Sequence, residues 1–259
     1  MKTILYIFAI SVGLFFTSYN TLNKMPNKVK KIVIDAGHGG KDPGCIGKNS
    51  KEKDLTLAIA LEFGALVNTY LKDVEVIYTR KTNEFVALNE RARIANKEQA
   101  DLFISIHCNA TEFAETEGTE TYVMGLNSQN ENLSVAIREN SAILQENNYK
   151  TQYDGIDPNS AVSYIIMANY QQTFQTNSLK MANQIETQFK HKLQRNSRGV
   201  KQSSFIVLWK TSMPSVLVET GFLSNPKEEQ FLKTDLGKTQ IAASLYRALR
   251  DYKSSIEEK

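Results

Sequence analysis

From Lys31 onward the period of apolar positions keeps changing. KIVIDAG (31–37) is a short apolar run stopped by glycine, and DLTLAIALEFGALVNTYL (54–71) carries apolar residues at helical spacing. VEVIYTR (74–80) alternates as a strand does. LNERARIANKE (88–98) reads as a helix and DLFISIHCNA (101–110) as a buried strand. Further on come a strand in TETYVM (119–124), a long helix around SLKMANQIETQFKHKL (178–193), strands in SFIVLWK (204–210) and SVLVET (215–220), and a closing helix in KTQIAASLYRALRDYK (238–253). Strands separated by helices of this length predict an α/β domain, a sheet flanked by helices, with sites at the carboxyl ends of strands. There is no internal repeat.

Two stretches break the rhythm. Between Gly125 and Asn177 no strand pattern occurs. ENLSVAIRENSAILQENN (131–148) predicts a helix, the polar run YKTQYDGIDPNS follows, and SYIIMANYQQTF (163–174) allows another helix. So long an interruption in a compact domain is usually functional or mobile. At the other end, MKTILYIFAISVGLFF has one lysine and then about a dozen apolar residues, the length of a signal-peptide core and short for a membrane span. Residues 1–19 are read as a signal peptide or an uncleaved anchor, 20–30 as a linker and 31–259 as one domain. No A-x-A cleavage pattern is present. Export follows, with the cleaved signal favoured.

Composition adds little. Thirty-one basic against 28 acidic residues give a net charge of +3. That suits an anionic polymer, but no Lys/Arg run marks a nucleic-acid surface. The two cysteines, Cys45 and Cys108, are too few for a disulfide framework and read as free or structural thiols.

Of three histidines, one sits in the glycine-rich turn IDAGHGGKDPG (34–44). The turn is not a phosphate loop, since neither Lys41 nor Lys48 precedes Ser or Thr. His107 ends a strand and shares a face with Asn109, while Cys108 points the other way. Glu52 lies where a helix begins; Asn49 three residues earlier also fits a capping box. Glu219 ends the very apolar strand SVLVET, where an acid seldom sits without a partner. Two imidazoles and a carboxylate with one open position make a catalytic zinc site, and a second carboxylate can serve as acid and base. His38, Glu52 and His107 are the candidate Zn2+ ligands and Glu219 the candidate catalytic residue. No HExxH motif occurs, so such a site is assembled from distant segments. His191, Trp209, Tyr164, Tyr170 and Phe174 are read as surface or core residues.

IVIDAGHGGKDPG, the glutamate after KNSK, SIHCNA with GTETY downstream, and MPSVLVETGFLSNPKE together resemble the zinc-dependent N-acetylmuramoyl-L-alanine amidases, and more closely the periplasmic cell-separation group. The resemblance runs from Lys31 to the C-terminus. It implies a mixed, mostly parallel sheet with helices on both faces. It also implies hydrolysis of the amide joining N-acetylmuramic acid to L-alanine in peptidoglycan, with metal ligands His38, Glu52 and His107 and catalytic Glu219. Arg91 and Asn109 match family positions and are given supporting roles. In that group an inserted helix plugs the site until an activator protein removes it. ENLSVAIRENSAIL resembles that helix, and Glu139 falls at the ligating position. Leu133, Ile137, Asn140 and Leu144 form one stripe of it, flanked by Glu139 and Glu146. A zinc peptidase cutting within the stem peptide and a catalytically inactive wall-binding module remain as alternatives.

Overall fold

The computed structural model describes residues 28–125, 130–158 and 160–257. The expected signal or anchor and most of the linker lie outside the described residues. No helix among the described residues is long and apolar enough to cross a membrane.

Six strands form one sheet: β1 (Lys31–Ala36), β2 (Glu75–Tyr78), β3 (Leu102–Asn109), β4 (Thr119–Met124), β5 (Ser197–Ser203) and β6 (Ser215–Phe222), in the order β2-β1-β3-β6-β4-β5. β2, β1, β3 and β6 run parallel; β4 is antiparallel to β6 and parallel to β5. The sheet is therefore mixed and mostly parallel, as the resemblance implied. β1 and β3 are buried on both faces, so their apolar residues do not alternate with exposed ones; Asp35, Ser105, His107 and Asn109 are the buried polar exceptions. Ile32, Ile34, Ile104 and Ile106 pack on one side against α1 (Glu52–Tyr70), α6 (Gln175–His191) and α9 (Asp235–Glu257). Val33, Phe103 and Leu217 pack on the other against α2 (Leu88–Lys97) and α7 (Ile206–Trp209). After β6, Asn225 starts α8 (Pro226–Lys233), its side chain accepting from the backbone N–H groups of Lys227 and Glu228.

The region without strand pattern folds onto that second face. It contains α3 (Asn130–Asn140), a tight 3₁₀ turn over Ser141–Gln145, α4 (Tyr149–Gln152), α5 (Ala161–Ala168) and a second tight turn before α6. Val135, Ala136, Ile143, Tyr153, Ile156, Tyr164 and Met167 join the core there. Asn140 pins α3 at both ends of its amide: Nδ2 donates to the Ser204 carbonyl at 2.9 Å and Oδ1 accepts from Ile206 N–H at 2.7 Å.

Three expectations need correction. SFIVLWK is not a strand: Ile206–Trp209 is a short helix, and the last-but-one strand is the polar Ser197–Ser203. A short apolar run has no period to separate a buried helical turn from a strand, and β5, an edge strand paired on one side only, needs no apolar run. The helix expected over 131–148 ends at Asn140, so Leu144 leaves the stripe and is 51% exposed. Asn49 does not cap α1: its N–H donates to Glu229, and the N-cap position, Lys51, makes no side-chain cap bond.

Candidate metal centre

The turn after β1 is built to bring one imidazole against another. His38 has a left-handed backbone, φ 59°, unusual for a residue with a Cβ. Two buried arginines hold it there. Arg91 donates from Nη2 to the His38 carbonyl and from Nη1 to Asp35 Oδ1, each at 2.8 Å. Arg80 donates to the carbonyls of Ala36, Gly37 and Lys53. The glycines follow from crowding. A Cβ on Gly37 would stand 2.5 Å from the His107 ring, and one on Gly44, at φ 65°, 2.5 Å from Glu52 Oε2.

His38, Glu52, His107 and Glu139 offer ligand atoms that all lie within 4.8 Å of one another, and all four residues are buried. His38 Nε2 is 3.1 Å from both Glu52 Oε2 and Glu139 Oε2; His107 Nδ1 is 3.1 Å from Glu52 Oε1 and 3.0 Å from Glu139 Oε2. Yet His38 Nε2 and Glu139 Oε2 have no hydrogen-bond partner among the described residues. Atoms this close but not aligned as donor and acceptor converge on a common point, which is how ligands face a cation. The donor set of two imidazoles and two carboxylates suits a borderline metal such as zinc.

The second layer fixes orientation. Asp42 Oδ2 lies 2.8 Å from His38 Nδ1; that bond keeps the proton on Nδ1 and turns the Nε2 lone pair to the centre. Glu52 accepts from the backbone N–H groups of Cys45 and Cys108 at 2.7 and 2.9 Å. Glu52 is thus a buried acceptor at the first turn of α1 and not a solvated helix-start acid.

Electrostatics agree with a cation site. Burial alone would lower the pKa of His107, but Glu139 and Glu52 outweigh it and lift it to about 9. His38 is raised for the same reason, by Glu52 and then Glu139. Glu139 is held well below the carboxylate range because His107, Arg138 and His38 outweigh its burial. The pocket carries negative charge that either protons or a metal must balance.

Glu219 is the register partner of His107 on the neighbouring strand. It is buried, Oε2 has no partner among the described residues, and Oε1 is 3.5 Å from Arg138 Nη2. Burial first, and the Glu139 charge next, push its pKa well up. Arg138 also donates from Nε to Glu139 Oε1 at 2.9 Å and from Nη1 to the Ala110 carbonyl at 2.8 Å.

The five residues singled out in the sequence therefore meet. Arg91 supports the His38 turn, and Asn109 donates to Glu120 at 3.0 Å. Cys45 and Cys108 are unbridged. His191 is exposed at the end of α6, whereas Trp209 and Tyr164 are core; the Tyr170 side chain lies outside the described residues. Asp42, Arg80, Arg138 and Glu120 were missed. Asp42, four residues after His38 in a turn, and Arg138, next to Glu139, carried a usable spacing signal; Arg80 and Glu120 did not.

A family model described as N-acetylmuramoyl-L-alanine amidase matches residues 32–251. The chain belongs to that family. As an amidase it is a hydrolase of the bacterial cell wall, acting on peptidoglycan. It is 33% identical over 226 residues to N-acetylmuramoyl-L-alanine amidase AmiA of Escherichia coli, covering 85% of this chain and 75% of the relative. The CwlD amidase of Clostridioides difficile, solved in complex with the GerS lipoprotein, superposes with TM-score 0.64 at 26% identity, over 87% of this chain and 99% of that one. The amidase AmiC2 of Nostoc punctiforme gives TM-score 0.59 at 26% identity, over 88% and 98%.

Proposed function

We propose that His38, Glu52 and His107 hold a catalytic zinc and that Glu219 is the acid/base for cleaving the bond between N-acetylmuramic acid and L-alanine. Glu139 occupies the remaining position at rest and thereby blocks the enzyme. The observation that carries this reading is the Glu139 carboxylate, 3.1 Å from His38 Nε2 and 3.0 Å from His107 Nδ1 although it comes from α3. Zinc in such a site supplies a Lewis acid that polarises a carbonyl and lowers the pKa of water towards neutrality. Glu219 Oε2 then takes the proton of the attacking water and passes it to the departing alanine nitrogen.

While α3 stays docked, Arg138 pairs with Glu219 and Glu139 fills the ligand position, so both catalytic functions are withheld. Residues 125–177 are accordingly a regulatory insertion. On α5, Val162, Ile165 and Ile166 are 65%, 54% and 54% exposed. They stand at i, i+3 and i+4, an apolar helix face that suits docking by an activator protein. The apolar leader supports export to the periplasm, where peptidoglycan is the substrate and cell separation the setting.

In the full chain, Glu139→Ala should keep about one zinc per chain and release whole stem peptides from purified peptidoglycan roughly tenfold faster or more. Chelator should stop the release. An unchanged rate at full zinc occupancy would refute autoinhibition, and fragments of stem peptide in place of whole ones would identify a peptidase.

A further inference from the structure

The residues that follow α3 meet the sheet domain at a place of their own. Just after the Ser141–Gln145 turn, Glu146 is buried, and Tyr153 OH stands 2.8 Å from both of its carboxylate oxygens. This pair lies against the start of α2. Glu146 Oε1 accepts from the Leu88 N–H and Tyr153 OH from the Asn89 N–H, each at 3.1 Å.

α2 has no cap of its own. The first N–H groups of a helix lack an intrahelical partner and are ordinarily met by a polar side chain at the N-cap. Here that position is Ala87, whose methyl accepts nothing. The Ala87 carbonyl takes the N–H groups of Glu90 and Arg91. Leu88 and Asn89, the first two residues of the helix, are left to Glu146 and Tyr153. The segment after α3 therefore supplies the cap that α2 omits, with a carboxylate where the helix dipole favours one.

Neighbouring contacts of the same segment weigh less. Gln152 Oε1 accepts from Asn89 Nδ2 at 3.2 Å, Asp154 pairs with Lys210 at 2.6 Å, and the Gln145 carbonyl accepts from Lys41 Nζ, all at the exposed surface. Of these contacts, the Glu146–Tyr153 pair alone is buried. Its position also matters. Within the same first turn of α2, Arg91 grips Asp35 and the carbonyls of Ala36 and His38.

We propose that Glu146, together with Tyr153, is a latch that fastens the regulatory insertion to α2, distinct from the Glu139 plug at the metal centre. Glu139 blocks the ligand position, and Glu146 holds the segment that follows it in its seat. The inference rests on the proposed autoinhibition and gives its release two parts. Withdrawing the Glu139 carboxylate opens the ligand position but leaves residues 141–157 seated. An activator has also to strip the cap from α2, so the freed enzyme carries an uncapped helix beside its histidine turn.

Residue-resolved amide hydrogen exchange on the full zinc-loaded chain tests this. The first N–H groups of a helix are ordinarily open to water. Here Leu88 and Asn89 should be protected and should exchange in step with residues 141–157, because one local opening frees them all. In Glu146→Ala both groups should exchange about tenfold faster or more, while β1 and β3 keep their rates. Tyr153→Phe, which keeps the ring in the core, should act in the same direction. Glu139→Ala should leave both groups within about twofold of the unaltered chain. Protection at Leu88 and Asn89 far above that of 141–157 in the unaltered chain would overturn the latch, and that comparison needs no variant to fold. A loss in Glu139→Ala as large as in Glu146→Ala would overturn it as well, by merging latch and plug. For activity, Glu139→Ala/Glu146→Ala should release stem peptides about tenfold faster than Glu139→Ala, and equal rates would remove the latch from the control of the enzyme. Failure of autoinhibition itself shows separately, as Glu139→Ala no faster than the unaltered chain although the exchange pattern is as expected.

Discussion

The group of four residues is reached from two directions, and the two approaches are built differently. His38, Glu52 and His107 come from the sheet and its first helix. Their backbone is held by Arg80, Arg91 and the ladder between β1 and β3, and Gly37 N–H donates to the Ile106 carbonyl at 3.0 Å. Glu139 comes from a helix laid on the outside of the same core, and Asn140 beside it makes two hydrogen bonds to the edge of that core. A ligand fixed by the sheet can leave only if the domain opens. A ligand on a docked helix can leave when the helix does. On the proposed ligand set, the same chemistry is permanent on one side and removable on the other.

That contrast can be broken by experiment. The largest effect expected is from His38→Ala, which should lose zinc and lower peptide release by about a thousandfold or more, whereas Glu139→Ala keeps the metal. Metal analysis of the two proteins settles it, and equal zinc retention would erase the distinction. Next comes Arg91→Met, which strands Asp35 in the core with only Ser105 and Thr79 donating to it. Removing one partner of a buried ion pair costs about 3–5 kcal/mol, measurable by urea unfolding. Burial raises the Asp35 pKa, but Arg91 first and the two hydroxyls next outweigh it and hold it below the usual 3.8. A depressed folded-state pKa means that this stabilisation is complete above about pH 4 and is lost as pH falls through the folded value. Acid unfolding of Arg91→Met should therefore flatten in that range.

On the docked side the expected costs are smaller. Asn140→Ala leaves the Ile206 N–H and the Ser204 carbonyl unpaired, about 1–3 kcal/mol. If that energy holds α3 down, basal release should rise about tenfold to a hundredfold with little change in global unfolding. A loss confined to global stability would show that Asn140 serves the core alone. The smallest effect is from Leu144→Ser, within about 0.5 kcal/mol because the side chain is already exposed. A larger loss would mean that the turn after α3 packs elsewhere before activation.

Much of the fixed side was readable before any coordinates. β1 and β3 are apolar runs that lead into His38 and His107, Glu219 stands inside the apolar run of β6, and an acid or imidazole at such a place is rare enough to notice. Glu52 was ambiguous because a helix start tolerates a solvated acid; only the N–H donors of Cys45 and Cys108 remove the ambiguity. Glu139 could be found through family likeness but not through period, since a charged residue beside an apolar stripe looks the same whether it faces solvent or a metal. Arg138 was hidden for another reason. Its importance lies in joining Glu139, the Ala110 carbonyl and Glu219, three partners 1, 28 and 81 residues away. Local pattern carries no trace of such contacts. β5 was misplaced because its residues answer to Glu120 on β4 and to Glu186 on α6, through Arg198, Lys201 and Ser197.

The same strand has a consequence for self-association. A sheet with an open edge invites a strand from another copy, and a flat apolar edge is the most dangerous kind. Here one border is the four-residue β2, too short to template much pairing. The other is β5, whose Arg198 and Lys201 are tied inward to Glu120 and whose Gly199 has a left-handed backbone at φ 85°, bending the ladder where it would have to continue. Cations that bond Glu120 on one side also close the sheet on the other, so the folded domain resists edge-to-edge aggregation.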